Sequence, residues 1–323
     1  MITLVPDEEQ REIAKSVSDF LEKSVTIATV REQSLTPDGV SEDLWASYAD
    51  LGWLALGVPE EVGGVGLGVA EEMLLFVELG RRLAPGPLRT TILAARIAAA
   101  AGREDLVAEL VSGERRAGIA VGDLVVDARP GDLLVVLTET TGSLVEVAAT
   151  EPVDGVDPTT RVARATRGAT AVDVDGPFLT IARIHAAAEL LGVIEAVRDM
   201  SAFYAQTRQQ FGVPIGTFQA VKHRCADMAV AAYAVRSQVA FAAVKFDAGE
   251  PDASFQAASA YALAARHAQK STADNIQNHG GIGFTWEQDS HLFLKRAHLL
   301  SRLLGVLRDT YEVVLEPPRN DFI

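Results

Sequence analysis

Ile181 to Arg208 reads IARIHAAAELLGVIEAVRDMSAFYAQTR. It holds no proline and a single glycine, and it is rich in alanine and leucine, residues that lose little on entering a helix. It predicts one helix of roughly seven turns. Three later stretches read the same way: Gln219 to about Ala248, Ser254 to about His279, and Ser290 to Leu315. Long alanine-rich helices with few breakers predict a C-terminal four-helix bundle over residues 179–323.

Upstream of the bundle the pattern changes. Val125-Val126, Leu133 to Leu137, Ser143 to Val147 and Ala169 to Val174 are short β-type runs separated by turns rich in Asp, Gly and Pro. They predict a small β domain over residues 119–178 with only a few strands. Before it, residues 1–118 read as helical. Ile13, Val17, Phe20 and Leu21 recur at helical spacing. Ser41 is placed to cap a helix from Glu42 to Leu51. Val69 to Leu83 is a further helix, stopped by Pro85-Gly86-Pro87, and Thr90 to Ala101 and Glu104 to Ser112 add two more. The loop from Val58 to Gly68 carries a proline and four glycines. The fold class is therefore mainly α with a small β module.

Bulk properties narrow the function. The chain has 323 residues, room for about two domains or one unit with an inserted module. Its formal net charge of −15 excludes a general nucleic-acid binder, which needs a basic face. The one cysteine, Cys225, builds neither an internal disulfide nor a cysteine-based zinc site. The six histidines show no paired ligand spacing, so no metal is expected. Met1 to Gln10 lacks an apolar leader and no apolar run is long enough to span a bilayer. A cytoplasmic protein without membrane partners is the expectation.

Four segments together resemble the acyl-CoA dehydrogenase family. They are Leu51 to Gly64, Glu78 to Pro87, Tyr204 to His223, and Gln277 to Glu287. The third and fourth are the specific ones, long matches at the right separation. The resemblance is poor from about Gly122 to Gly155. It implies an N-terminal helical domain, a middle β domain and a C-terminal four-helix bundle. It also implies FAD, an acyl-CoA thioester substrate, an electron-transfer flavoprotein as acceptor, and dimers or dimers of dimers. In the family a carboxylate removes the α-proton of the thioester while the β-hydride goes to the flavin. The neighbouring subunit's bundle holds parts of the cofactor's pyrophosphate and adenosine.

On this resemblance Arg208 is the arginine of an Arg-x-x-Phe-Gly motif that meets the neighbour's FAD pyrophosphate, a task suited to a bidentate guanidinium. Read as an isolated residue, it is a helix-end arginine facing solvent. Gln210, Phe211 and Gln219 match cofactor-contacting positions. Gln277, Gly280 and Gly281 match a second cofactor segment, whose glycines let backbone approach a phosphate closely. The same glycines also read as a helix C-cap. His279 reads as a loop residue.

The departures concern the chemistry. The nearest string to the family's flavin-ring segment, Thr138-Glu139-Thr140-Thr141-Gly142-Ser143, lacks the proline and reads as a hairpin turn, and the β stretch has no Trp. The two family positions of the base fall on Leu304 and Ala182, neither of which can take a proton. Glu189, about two turns beyond Ala182, is the candidate for a relocated base. This pattern resembles the shorter, base-lacking chain of heteromeric acyl-CoA dehydrogenases that act on steroid side chains. Three expectations follow: a subunit that completes a homologous partner chain's FAD site, a self-sufficient homomer whose base has moved, or a flavin-free structural subunit.

Overall fold

The structure, a computed structural model, describes residues 5–305 and 307–315, without the side chains of 307–309. Expectations that fall on residues 1–4, 306 and 316–323 lie outside the described residues. Six helices come first: α1 (Glu8–Ser24), α2 (Ile27–Gln33), α3 (Glu42–Asp50), α4 (Val69–Arg82), α5 (Leu88–Ala100) and α6 (Glu104–Val111). Five strands follow: β1 (Ala117–Val121), β2 (Leu124–Val126), β3 (Leu133–Leu137), β4 (Thr141–Val153) and β5 (Val162–Asp175). The chain then forms α7 (Phe178–Thr207), a hairpin of β6 (Gln209–Gln210) and β7 (Val213–Pro214), and α8 (Gln219–Asp247), α9 (Ala253–His279), α10 (Ser290–Leu300) and α11 (Leu307–Leu315).

The helix starts have local causes. Asp7 accepts from Gln10 N at 2.9 Å and Gln10 Oε1 accepts from Asp7 N at 3.2 Å, a reciprocal cap on α1. Ser41 Oγ caps α3 by accepting from Leu44 N. The cap on α4 comes from far away. The Asp247 carboxylate, at the end of α8, accepts from Val69 N and Ala70 N at 2.9 and 2.8 Å. A negative charge on a helix N-terminus is favourable, so this contact ties the bundle to the N-terminal helices.

The long helix α7 is the axis of the molecule. From Phe178 to Val197 nearly every side chain is buried, and α4, α8 and α9 lie against it. Its crossing with α4 is close because both helices carry a glycine there. A Cβ on Gly80 would sit 1.9 Å from the Glu189 carbonyl oxygen, and one on Gly192 would sit 2.0 Å from that of Val77. Any larger residue at either position would push the helices apart.

The β module is a closed barrel in the order β1-β2-β5-β4-β3, with β1 and β3 parallel and the other pairs antiparallel. Its register shifts at Leu144/Val145, Val145/Val147 and Val147/Ala149, irregularities that let a long strand pair bend around a small barrel. Val125, Leu134, Val145, Val147 and Ala163 form a small core of their own. Ile119, Val126, Leu133, Val135, Leu144 and Val172 join the main core.

Three expectations need adjusting. β1 reads in sequence as no strand at all, and β4 and β5 are far longer than the runs within them. The segment from Ser290 onward is not one helix: α10 ends at Leu300, residues 301–305 turn, and Gly305 at φ +100° breaks the helical path. Thr138 to Thr141 does form the hairpin turn between β3 and β4, closed by Thr138 N to Thr141 O at 3.0 Å. No helix among the described residues is long and apolar enough to cross a membrane.

Candidate cofactor-binding site

At the end of α7 the backbone becomes extended at Arg208 and enters the β6–β7 hairpin. Its tip, Phe211-Gly212, has φ of +53° and +78°, the left-handed pair a two-residue hairpin turn requires. Ile215 N donates to Arg208 O at 2.8 Å and folds the hairpin back on the helix end. The turn carries Arg208 and Gln210 over the C-terminus of α9, where Gly280 at φ +66° ends that helix. Between them lies an open groove of about 360 Å³ lined by Tyr204, Arg208, Gln210, Ile215, Asn278, His279, Gly280, Gly281 and Ile282.

The groove has a fixed floor and free donors. His279 is the last residue of α9, buried, with its ring stacked on Tyr204 at 4.3 Å and Nδ1 bonded to Asn275 O at 2.8 Å. It is therefore a helix residue and not the loop residue read from sequence. Asn275 Oδ1 accepts from Ser201 Oγ at 2.7 Å, which locks α9 to α7 beneath the ring pair. Arg208 is exposed and makes no ion pair among the described residues. A Cβ on Gly280 or Gly281 would meet nothing within 4 Å, so the main chain there faces open space. A guanidinium without a counter-ion beside bare backbone is an arrangement that fits a phosphate or pyrophosphate.

The structure thus brings together four of the residues singled out from sequence: Arg208, Gln210, Gly280 and Gly281. The other three stand outside the groove lining. Gln277 and Gln219 are exposed, on the last turn of α9 and the first of α8. Phe211 is 92% exposed, its ring edge-on to Phe218 at 6.2 Å. Sequence reasoning missed Tyr204 as part of the groove. Its pairing with His279 joins distant positions, and neither residue type alone signals it.

The positions named for a base behave differently. Ala182 is fully buried and Leu304 half-buried on the turn after α10. Arg183, next to Ala182, pairs with Glu139 of the β3–β4 turn at 3.0 Å. Glu189 is buried, and both its oxygens are taken: Oε2 by Arg89 Nε at 3.1 Å and Oε1 by Arg296 Nη1 at 3.4 Å. Arg296 also donates to Asp157 Oδ2 and to Thr159 Oγ1, each at 2.8 Å. Burial works against the Arg296 charge, but Asp157 and Glu189 outweigh it and raise its pKa. The adjoining cavity, about 30 Å³, has room for a water or two. It is far below the few hundred Å³ of ordinary ligand pockets.

Asp127 lines the same cavity in a left-handed backbone conformation at φ +55°. The residue keeps some solvent access, yet loss of hydration pushes its carboxyl up to about 6, against the pull of the Arg161 N–H that it accepts at 2.7 Å. Together α5, α7, α10 and the 157–159 loop are bolted to each other by this network. It is an arrangement for holding the barrel on the bundle. No group of three or more His, Cys, Asp or Glu among the described residues is placed to hold a metal ion.

Comparison with known proteins adds the lineage. Residues 7–114 match the acyl-CoA dehydrogenase N-terminal domain and residues 172–307 the acyl-CoA dehydrogenase C-terminal domain. The chain is 37% identical to the acyl-CoA dehydrogenase IpdE2 of Mycobacterium tuberculosis, over 98% of this chain and all of that one. Among solved structures it resembles a variant of the Tcur3481–Tcur3483 steroid ACAD at 25% identity and a TM-score of 0.82, covering 95% of this chain and 96% of that one. It resembles the ChsE4–ChsE5 complex of Mycobacterium tuberculosis at 24% identity and a TM-score of 0.83, covering 96% and 97%.

Proposed function

This chain belongs to the acyl-CoA dehydrogenase family, and from that premise we propose that it is the base-lacking subunit of a heteromeric, FAD-dependent enzyme. It works in the cytoplasm on an acyl-CoA thioester with a steroid-derived acyl chain. Its contribution is the groove under Arg208, which receives the pyrophosphate and adenosine end of an FAD whose ring lies in the partner chain. FAD, when bound, supplies the acceptor for the hydride leaving the β-carbon, and an electron-transfer flavoprotein collects the electrons.

The observation that carries this reading is a contrast within one chain. Among the described residues Arg208 stands without a counter-ion beside open backbone at Gly280-Gly281, whereas Ala182 and Leu304 occupy the base positions and Glu189 is bound on both oxygens. Arg208 neutralises phosphate charge, Gln210 offers its amide, and the two glycines let main-chain N–H groups approach the phosphates. Tyr204 and His279 hold the floor rigid beneath them. None of the three base positions is free to remove a proton, so the α-proton goes to a carboxylate of the partner chain. A steroid-derived substrate is supported by the similar structure that is a steroid ACAD, and a two-chain assembly by the similarity to the ChsE4–ChsE5 complex.

The test is to co-express this chain with a base-carrying homologue and measure FAD absorbance and acyl-CoA turnover of the complex. Arg208→Ala should strip flavin from the complex while leaving it assembled, and Arg208→Lys should restore part of it. Full flavin and full turnover with Arg208→Ala would sink the reading. Loss of turnover with Glu189→Gln, at unchanged flavin and stability, would favour the self-sufficient enzyme instead.

A further inference from the structure

His279 has a use beyond its stacking on Tyr204. It is only 5% exposed, yet it lines the Arg208 groove. Its Nδ1 lies 2.8 Å from Asn275 O. A carbonyl can only accept, so Nδ1 carries the hydrogen and the tautomer is fixed. Nε2, on the other side of the ring, has no hydrogen-bond partner among the described residues and keeps contact with the groove. In the neutral ring Nε2 is a lone pair. With a second proton on the ring it becomes a donor for whatever lies in the groove.

The charge balance of the groove calls for that proton. Two helices end there: α7 passes into Arg208, and α9 stops at His279. A helix C-terminus carries about half a negative charge, so the two ends together roughly offset the single charge of Arg208. The groups that line the groove with His279 are Tyr204 and Arg208 from the end of α7, Gln210 and Ile215 from the hairpin and the turn after it, and Asn278 from its own helix. None of them is acidic, and Arg208 is their one permanent cation. Arg224 of α8 stands behind Asn278, with Nη1 3.5 Å from Asn278 Oδ1, and is outside the lining. A doubly ionised pyrophosphate therefore meets a groove whose fixed charges nearly cancel. A cation on His279 supplies what is missing. Its ring is already held by Tyr204 and Asn275, so little side-chain freedom is lost on binding.

We propose that His279 is the second cation of this groove: when a pyrophosphate enters, Nε2 takes a proton from solvent and donates to a phosphate oxygen, so the complex holds FAD in a proton-linked way. The inference rests on the reading of the Arg208 groove as a flavin site, and adds to it a binding residue and a pH dependence. The bound state holds one more proton than the free state, so retention is strongest at low pH and weakens as pH rises.

The complex with a base-carrying homologue is diluted at pH 6, 7 and 8.5, and released FAD is followed by its fluorescence. Retention should weaken about three- to tenfold from pH 6 to pH 8.5. His279→Gln presents a permanent donor toward the groove and should hold FAD equally at every pH. His279→Asn keeps a donor for Asn275 O and removes the group that faces the groove. It should hold FAD at the wild-type level of pH 8.5, again without slope. Calorimetric titration of FAD into the stripped wild-type complex, in two buffers of different ionisation heat, should show net proton uptake at pH 7.5. A purely structural His279 would instead give weaker flavin in both variants with the wild-type slope intact. An unchanged slope in His279→Gln, or no proton uptake by the wild type, would overturn the proposal and leave the Arg208 reading standing. Full flavin with Arg208→Ala would remove both.

Discussion

The groove under Arg208 and the junction around Arg296 are built from the same kinds of residue and arrive at opposite ends. Both hold an arginine near polar side chains at a helix terminus or edge. At the junction every strong charge has found a partner: Arg296 with Asp157 and Glu189, and Glu189 with Arg89. In the groove Arg208 has none among the described residues, and glycines keep the opposite wall bare. A charged group satisfied inside its own chain supports the fold; one left open to solvent beside bare backbone is available to something else. That difference separates the tied carboxylate Glu189 from Arg208, the residue we propose meets a cofactor, more clearly than their residue types do.

The comparison breaks most easily at Arg296. Replacing it by leucine leaves Asp157 and Glu189 buried without a counter-ion, and should lower stability by about 3–5 kcal/mol, read from urea denaturation. A change below about 1 kcal/mol would mean that the junction is not held by charge.

Asp127 sharpens the same point through pH. Its carboxyl is raised from 3.8 to about 6, so the folded chain holds this proton more tightly than the unfolded one. The stabilisation from it is complete below about pH 4 and is lost as pH rises through about 6. Asp127→Asn should remove that slope and raise stability at neutral pH by about 1–2 kcal/mol, after discounting for the partial solvent access of the residue. Thermal melts from pH 4 to pH 8 check both the slope and its removal.

Glu189→Gln is an effect of comparable size and opposite sign. The amide keeps the shape and one acceptor but loses the charge opposite Arg89 and Arg296, a cost of about 1–3 kcal/mol. Flavin content and turnover of the complex should not change beyond what the lost stability explains. At the other pole Arg208→Ala should move stability by less than about 0.5 kcal/mol, because the side chain is exposed and makes no ion pair among the described residues.

The helices were readable from sequence because their causes are local: Ser41 before Glu42, Pro85-Gly86-Pro87 after α4, and the unbroken run that becomes α7. The barrel was readable only in fragments. Thr150 to Pro152 and Arg164 to Gly168 belong to β4 and β5, but mostly exposed or bulged positions erase the period-two signal there. Within the groove, Arg208, Gln210 and the Gly280-Gly281 pair were visible as a motif. The ring pair Tyr204–His279 was not, since it depends on how α7 meets α9. The Arg89–Glu189–Arg296–Asp157 network was invisible for the same reason: it joins four segments far apart in sequence, and Glu189 alone reads equally as a generic helix glutamate. Glu189 therefore stood in sequence as a free carboxylate and stands in the structure as a tied one.

The proposed division, an FAD site completed by two different chains, is tested most directly by flavin per chain. The protein is purified alone and again after co-expression with a base-carrying homologue, and visible absorbance is compared with the mass of each assembly. Little or no FAD on the chain alone, with FAD recovered in the mixed complex, is the predicted result. Near-stoichiometric FAD on a homodimer or homotetramer that turns over acyl-CoA by itself would contradict it.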